Sequence, residues 1–158
     1  MSDIAGVGDF NGDGKTDLVS IQRSTGELWL YKGDSYARQR IGTGWNVMDR
    51  LVSTDDFNSD GKPDLIARER TTGYLWFYPG NGSGWLLPRT RIGTGWGGMD
   101  MIEGMSDLTG DRIPDLMARQ ASSGVLYLYP GNGTGSLNAR TAVTHPAGGT
   151  WAGLNVLA

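Results

Sequence analysis

Oxygen-bearing side chains alternate within a ten-residue stretch that occurs three times in the chain. The first copy, residues 9–18, reads Asp-Phe-Asn-Gly-Asp-Gly-Lys-Thr-Asp-Leu, and the other copies are residues 56–65 and 107–116. Each copy has an Asp, Asn or Thr at its positions 1, 3, 5 and 9. Ca²⁺ is a hard cation that takes about six to eight oxygen ligands in irregular geometry. The spacing therefore predicts a calcium-binding loop in each copy.

The backbone of these loops is expected to supply one further ligand. Gly14 and Gly61 stand at position 6, where a sharp turn requires a positive φ that glycine adopts without strain. The carbonyl of position 7 then turns towards the ion. The predicted ligands are Asp9, Asn11, Asp13, Lys15 and Asp17 in the first loop, Asp56, Asn58, Asp60, Lys62 and Asp64 in the second, and Asp107, Thr109, Asp111, Ile113 and Asp115 in the third.

The third loop departs from this pattern. Thr109 replaces Asn at position 3, and Arg112 replaces Gly at position 6, which adds a positive charge and a backbone penalty. We therefore expect a lower calcium affinity in this loop. An EF-hand is not expected in any copy, because position 12 is Ser20, Ala67 or Ala118 where that motif needs a bidentate Glu.

Composition excludes several other classes of protein and site. Fourteen basic and 17 acidic residues give a net charge of −3, which does not favour a nucleic-acid partner. The absence of Cys excludes disulfides and thiolate sites, and the single His145 does not predict a zinc site. Twenty-six glycines among 158 residues favour short strands joined by tight turns.

The elements that position the loops also recur. Residues 26–33 return as residues 73–80 and 124–131, with the offsets of 47 and 51 that separate the acidic loops. Residues 41–45 and 92–96 share the sequence Ile-Gly-Thr-Gly-Trp. The chain is thus interpreted as one domain over residues 1–158, or a segment of one, with three repeats at about 4–50, 51–101 and 102–157.

Four strands are predicted in each repeat. In the second they lie at about residues 49–55, 64–70, 74–78 and 89–92, joined by glycine-rich turns and the acidic loop. The third strand is apolar on both faces, with Leu75 and Phe77 on one and Trp76 and Tyr78 on the other, so neighbouring sheets must cover both. The prediction is an all-β fold, a β-propeller of four-stranded antiparallel blades; a simple β-sandwich explains the apolar run but not the period.

These motifs resemble the FG-GAP/VCBS repeats of integrin-type β-propellers, in the form common in secreted actinomycete proteins. The resemblance is carried by the Asp-Phe-Asn-x-Asp-Gly-Lys-x-Asp-Leu loops, the Gly-x-Leu-Trp-x-Tyr-x-Gly strands and the Ile-Gly-Thr-Gly-Trp spacer. It implies four-stranded blades with calcium in the first hairpin, and a role in binding or adhesion. Some relatives bind sugars between blades.

Trp45, Trp96 and Trp151 are candidates for such sugar binding. Each precedes the first strand of a following unit, and Arg40 and Arg91 are candidate hydrogen-bonding neighbours, together with Asp49 or Asp100. The alternative interpretation is structural, with each Trp filling a gap between blades. Both interpretations remain open at this stage.

Three blades do not easily close a ring, since propellers have about four to eight blades. Residues 151–157 resemble residues 96–102, so the end of the chain is expected to supply what the start of a next repeat needs. Either the chain is a fragment of a longer ring, or copies of it associate head to tail, with two copies giving six blades or three copies giving nine. Of these alternatives we expect self-association.

The function predicted from the sequence is a secreted, calcium-binding, lectin-like or adhesion module without catalytic activity, which binds glycans and does not enter membranes. Modest-affinity calcium sites favour an extracellular setting. A purely structural segment of a secreted hydrolase is the alternative. A glycosidase would have to use carboxylates such as Asp49, Asp55 and Asp100, and is the remote alternative.

Overall fold

Three four-stranded antiparallel sheets follow one another along the chain in the computed structural model, which describes residues 4–33, 35, 37–146 and 148–152. The first sheet contains β1 (Ile4–Gly6), β2 (Leu18–Gln22), β3 (Glu27–Tyr31) and β4 (Arg38–Gly42); the second contains β5 (Met48–Thr54), β6 (Asp64–Glu69), β7 (Leu75–Tyr78) and β8 (Thr90–Gly93); the third contains β9 (Met99–Met105), β10 (Asp115–Gln120), β11 (Leu126–Tyr129) and β12 (Thr141–Ala142). Short 3-10 helices at Trp45–Val47 and Trp96–Gly98 connect the sheets.

Every sheet pairs its strands in sequence order, so each is a meander of three hairpins. The acidic loop closes the first hairpin, and a turn at Gly26, Gly73 or Gly124, each with φ between 64° and 72°, closes the second. The prediction of an all-β fold with four-stranded blades is confirmed. In the second blade the strands begin and end within one residue of the predicted positions.

The apolar core lies between the sheets. One cluster joins Phe10, Leu30 and Trp45 of the first repeat to residues of the second sheet such as Leu65 and Tyr78. The other cluster joins Phe57, Phe77 and Trp96 to the equivalent residues of the third sheet, including Leu116 and Tyr129. The sheets are therefore stacked blades rather than the two layers of a sandwich.

Each blade buries two unlike faces. We call the face towards the next blade the trailing face and the face towards the preceding blade the leading face. In the first junction the trailing face contributes Phe10, Val19, Leu30 and Trp45, and the leading face contributes Leu65, Ala67, Tyr78 and Gly80. The Phe10 and Trp45 rings of the trailing face thus meet Gly80 and the Tyr78 ring of the leading face.

Residues 153–157, which take part in the predicted likeness to residues 96–102, lie outside the described residues. Within the part of the chain that is described, no helix has the length and apolar character needed to cross a bilayer.

Candidate calcium loops and inter-blade clefts

Each acidic loop turns back at its sixth position. There φ is 85° at Gly14, 82° at Gly61 and 70° at Arg112. Glycine adopts this left-handed conformation without cost, whereas an L-residue with a Cβ is strained in it by about 1–2 kcal/mol. The third loop therefore makes the same left-handed turn at position 6 despite its arginine, and carries strain at this position that the glycines of the other two loops avoid.

The carboxylate at position 1 organises the loop through backbone hydrogen bonds. Asp9 Oδ1 accepts from the N–H of Gly12 at 2.7 Å and of Asp13 at 3.0 Å, and its Oδ2 accepts from Gly14 N–H at 2.8 Å. Asp107 makes the same three contacts, and its bond from the Arg112 N–H in particular lowers the pKa of its carboxyl. This residue thus shapes the loop as well as presenting oxygen to it.

The carboxylate at position 9 is fully buried and links the loop to the third strand of its blade. Asp17 accepts from Phe10 N–H at 3.1 Å and from Gly33 N–H at 2.9 Å. The same bonds recur at Asp64, which accepts from Phe57 and Gly80, and at Asp115, which accepts from Leu108 and Gly131. Sequence reasoning assigned this residue to the metal and missed its structural role. The available signal was the glycine that follows it by 16 residues in every repeat.

Burial and hydrogen bonding act in opposite directions on the pKa of the buried Asp64 carboxyl. At Asp64, burial raises the pKa to about 6, while the N–H groups of Gly80 and Phe57 act to lower it. The N–H donors favour the ionised carboxylate and so limit the rise that burial alone would cause.

The remaining oxygens fit a hard cation by their chemistry. Positions 1, 3 and 5 carry carboxylate, amide or hydroxyl oxygens near the surface, and position 9 is committed to backbone donors. As placed, no group of three or more Asp, Glu, His or Cys side chains among the described residues is close enough to hold a metal ion. The residues that would hold Ca²⁺ at the surface of each loop are positions 1, 3 and 5 with the carbonyl of position 7. That Asp17, Asp64 and Asp115 also bind the ion stays a prediction.

The three predicted tryptophans are positioned in the same way. The backbone N–H of Trp45 donates to Gly26 O at 2.8 Å, that of Trp96 to Gly73 O at 3.0 Å, and that of Trp151 to Gly124 O at 3.0 Å. Each Trp is thus fixed to the second hairpin turn of its own blade.

The glycines before Trp45 and Trp96 have separate roles. Gly44 and Gly95 both have φ 76°, which turns the chain. A Cβ at Gly42 would lie 2.4 Å from Trp45 Nε1, so this glycine leaves room for the indole against the fourth strand. Trp45 and Trp96 are consequently only 5% exposed, which supports a packing role for most of each ring.

Each buried Trp stacks on a tyrosine of the next blade. Trp45 and Tyr78 have ring centroids 4.5 Å apart, as have Trp96 and Tyr129. Arg89 donates to Tyr78 Oη at 3.0 Å, and its guanidinium lies 3.8 Å from the Trp76 ring centroid. Arg140 repeats this arrangement in the third blade, with a 2.9 Å bond to Tyr129 Oη and its guanidinium 3.9 Å from the Tyr127 ring centroid.

A surface cleft of about 300 Å³ opens beside the first Trp–Tyr pair. Its walls include Thr43, Trp45, Met48, Tyr78 and Arg89. The cleft therefore combines aromatic edges with hydroxyl groups and one exposed guanidinium. These are groups that bind polar ligands with an apolar side.

The basic residues of the cleft differ from those predicted. Arg40 forms an ion pair with Glu27 at 2.9 Å, and the Arg91 guanidinium lies 4.8 Å from the Tyr74 ring centroid. Neither lines the cleft beside Trp45. Sequence reasoning missed Arg89 and its equivalents Arg38 and Arg140, although the three recur at a spacing of 51 residues.

The acidic residues considered as sugar neighbours are engaged elsewhere. Asp49 receives two bonds from the buried Arg68, at 2.8 Å and 2.9 Å, and Arg68 also donates to Trp96 O at 2.9 Å. Asp100 is paired in the same way with Arg119, and hydrogen bonding by Arg119 lowers the pKa of the Asp100 carboxyl. These pairs tie the first and second strands of a blade to the Trp connection that follows it.

Comparisons with known proteins agree with this architecture. Residues 56–105 match the model of the FG-GAP-like repeat, and residues 3–31 match that of the FG-GAP repeat. A sequence comparison with curated proteins found no match.

One similar solved structure is a lectin of Agrocybe aegerita, described for specific recognition of non-reducing terminal N-acetylglucosamine. The likeness has a TM-score of 0.60 at 17% sequence identity, and covers 89% of this chain and 38% of the lectin chain. This chain therefore spans well under half the length of that β-propeller. The repeat matches, the three equivalent blades and this likeness of fold identify FG-GAP repeats in this chain, arranged as the four-stranded blades of a β-propeller.

Proposed function

We propose that the chain is a non-catalytic binding module that holds a terminal sugar of a glycan in the clefts between its blades. The observation that supports this is the repeated Trp–Tyr–Arg arrangement, Trp45 with Tyr78 and Arg89, then Trp96 with Tyr129 and Arg140. A repeated cleft suits multivalent capture, in which weak sites reinforce one another.

The chemistry of the cleft matches a monosaccharide. A sugar ring presents C–H groups on one side and hydroxyls at its rim. The small parts of Trp45 and Tyr78 that line the cleft can contact the C–H groups, while Arg89 can donate N–H groups to hydroxyl oxygens. A volume of about 300 Å³ is at the lower limit of small-molecule sites, and fits one sugar unit better than a long oligosaccharide.

Calcium is assigned a structural role in this proposal. Bound at positions 1, 3, 5 and 7 of the first two loops, Ca²⁺ would supply positive charge that offsets the repulsion between their exposed carboxylates. Such modest-affinity sites fill in calcium-rich extracellular fluid, which supports secretion.

Catalysis is not part of the proposal. A glycosidase needs one carboxyl group that keeps its proton and a second that is ionised. Asp49 and Asp100 are both held by arginines, and the pKa of Asp100 is lowered, so that Asp100 is a poor proton donor. The alternative of a structural segment is favoured by the burial of Trp45 and Trp96.

Glycan-array binding in calcium, followed by calorimetry with a terminal N-acetylglucosamine oligosaccharide, tests the function. The variant Arg89→Gln/Arg140→Gln should weaken binding by about tenfold or more, because each lost charged hydrogen bond is worth about 1.5–3 kcal/mol. Arg40→Gln/Arg91→Gln is the matched control and should bind normally. Absence of binding to any glycan by the folded, calcium-loaded protein would favour the structural alternative instead.

A further inference from the structure

The leading face of the first blade exposes counterparts of residues that are buried elsewhere. Leu18 begins β2 and is 41% exposed, whereas Leu65 and Leu116, its equivalents in the second and third blades, are 0% exposed. Tyr31 is half-buried, while the equivalent Tyr78 is 8% exposed. These differences arise because the second and third blades each have a preceding blade over this face.

The trailing face of the third blade shows the complementary pattern. Leu108 is 52% exposed, whereas its equivalents Phe10 and Phe57 are 1% and 0% exposed. Leu128 is half-buried where Leu30 is fully buried. The first blade thus has an uncovered apolar leading face, and the third blade has an uncovered apolar trailing face. We call these two the outer faces.

The two internal junctions show how such faces fit together. Phe10 lies against the second blade, so that a Cβ added to Gly80 would be 3.0 Å from the Phe10 ring. Phe57 has the same relation to Gly131, at 3.1 Å. Gly33 is the counterpart of these glycines in the first blade, and Leu108 is the counterpart of the phenylalanines. The outer faces therefore carry the two halves of the same contact.

The outer faces also carry the two halves of a cleft. Trp151 has the same backbone anchor as Trp45 and Trp96, and its ring contacts His145 of its own repeat at a centroid distance of 4.8 Å. Tyr31 and Arg38 occupy the positions of Tyr78 and Arg89. Arg38 already lies 4.4 Å from the Trp29 ring centroid, as Arg89 lies over Trp76.

We propose that two copies of this chain associate head to tail into a six-bladed ring. The trailing face of the third blade of each copy packs on the leading face of the first blade of the other copy. At each junction Trp151 of one copy meets Tyr31 and Arg38 of the second, which completes a third cleft per chain. Six blades lie within the range of about four to eight found in closed propellers, whereas three copies would give nine.

We expect the junction between copies to be weaker than the first junction within the chain. Inside the chain Gly84 N–H donates to Phe10 O at 3.0 Å, and Gln39 Nε2 donates to Gly84 O at 3.2 Å. Gly84 belongs to the loop of residues 81–88, and the corresponding loop of the first blade, residues 34–37, is half as long. The ring is therefore expected to form in a concentration-dependent way.

Sedimentation velocity across the micromolar range, with calcium present, tests the association. The expected species has twice the chain mass of 17.0 kDa. Leu18→Asp and Leu108→Arg, made separately, should each give a folded monomer, because each places a charge on one half of the junction. Leu87→Asp is the matched control. Leu87 is 43% exposed and is not among the core residues of either blade junction. Circular dichroism verifies that the variants keep their strands.

The ring and the proposed function can fail independently. Only the identity of the ligand in the third cleft rests on the proposed function. A wild-type protein that stays at 17.0 kDa, or that forms trimers or open polymers, would overturn the six-bladed ring. A dimer that binds no glycan would leave the ring standing and remove the function. A dimer that binds sugar should show three sites per chain, and its Leu18→Asp monomer two; equal stoichiometry would refute the shared cleft.

Discussion

The indole of Trp45 and the phenol ring of Tyr78 pack across the first blade junction, with centroids 4.5 Å apart and planes inclined by 37°. Trp96 and Tyr129 pack across the second junction at the same distance and at 39°. The two junctions therefore have the same geometry to within a few degrees. The repeat in the sequence is also a repeat in space, which allows each junction to serve as a control for the other.

Truncation of a trailing-face aromatic should be costly. Phe57 is fully buried and its ring lies 5.6 Å from that of Phe77. We expect Phe57→Ala to lower the free energy of unfolding by about 3–5 kcal/mol, because it leaves a cavity between blades. Urea unfolding measures this loss. Leu87→Ala, at an exposed site, should change stability by only about 0.5 kcal/mol or less, and a similar loss in both variants would contradict the assignment of the core.

The buried and exposed carboxylates of one loop should respond differently to chelation. Asp17→Asn replaces an acceptor of backbone N–H bonds, and should lower stability by about 2–3 kcal/mol with or without a chelator. Asp13→Asn should matter only when calcium is present, since Asp13 lies at the surface where the ion would bind. Thermal unfolding in calcium and in chelator measures both effects. If chelation alters the stability of neither the wild type nor Asp13→Asn, the calcium assignment is wrong.

Removal of the backbone strain in the third loop should stabilise it. Arg112 has φ 70°, which costs about 1–2 kcal/mol relative to glycine, and the greater freedom of glycine in the unfolded chain offsets about half of this. We expect Arg112→Gly to raise stability by about 0.5–1 kcal/mol, and also to raise the calcium affinity of this loop in calorimetry. Gly61→Arg is the reverse substitution in the second loop. It should lower both the stability of the protein and the calcium affinity of that loop.

The half-buried Glu103 should make stability fall as the pH rises. This residue lies where β5 and β9 approach one another, and burial raises the pKa of its carboxyl above the usual 4.5, although the charge of Arg50 acts in the opposite sense. The folded state therefore binds the Glu103 proton more tightly than the unfolded state does. The contribution of Glu103 to the free energy of unfolding is fully present below pH 4.5, and it is lost as the pH rises through the higher pKa of the folded state.

Glu103→Gln should remove that fall, so the variant should gain stability relative to the wild type as the pH increases from 4 to 7. Glu27→Gln is the control of opposite sign, because its hydrogen bond with Arg40 lowers the pKa of Glu27. The stability that Glu27 contributes is present above the pKa of its unfolded state and is lost as the pH falls through its lower folded pKa. Glu27→Gln should remove this dependence of stability on pH. Parallel pH profiles for the wild type and Glu103→Gln would contradict the assignment.

The blades could be predicted because their signals are local. Glycines at the turns and the two apolar faces of residues 75–78 determine where the strands of the second repeat begin and end. The repeat of about 50 residues then favoured stacked blades over a two-layer sandwich. Neither inference required knowledge of which residues meet across blades.

The site was predicted less well because its contacts are not local. Asp17 bonds to Gly33, 16 residues away, and no loop motif shows that bond. Arg91 lies two residues beyond Arg89, which is about 7 Å along a strand. It therefore reaches Tyr74, while Arg89 reaches Tyr78. Alternation along a strand could not choose between these arginines, because they share a face.

The unlike faces of each blade have an evolutionary consequence. Since the trailing face of any repeat fits the leading face of the repeat that follows it, an in-frame duplication or deletion of one whole repeat creates no new kind of contact. We therefore expect a change in gene length by one whole repeat, about 50 codons, to be tolerated better than a shorter insertion within a strand. A lineage that carries such a gene can vary the number of its inter-blade clefts without redesigning any of them.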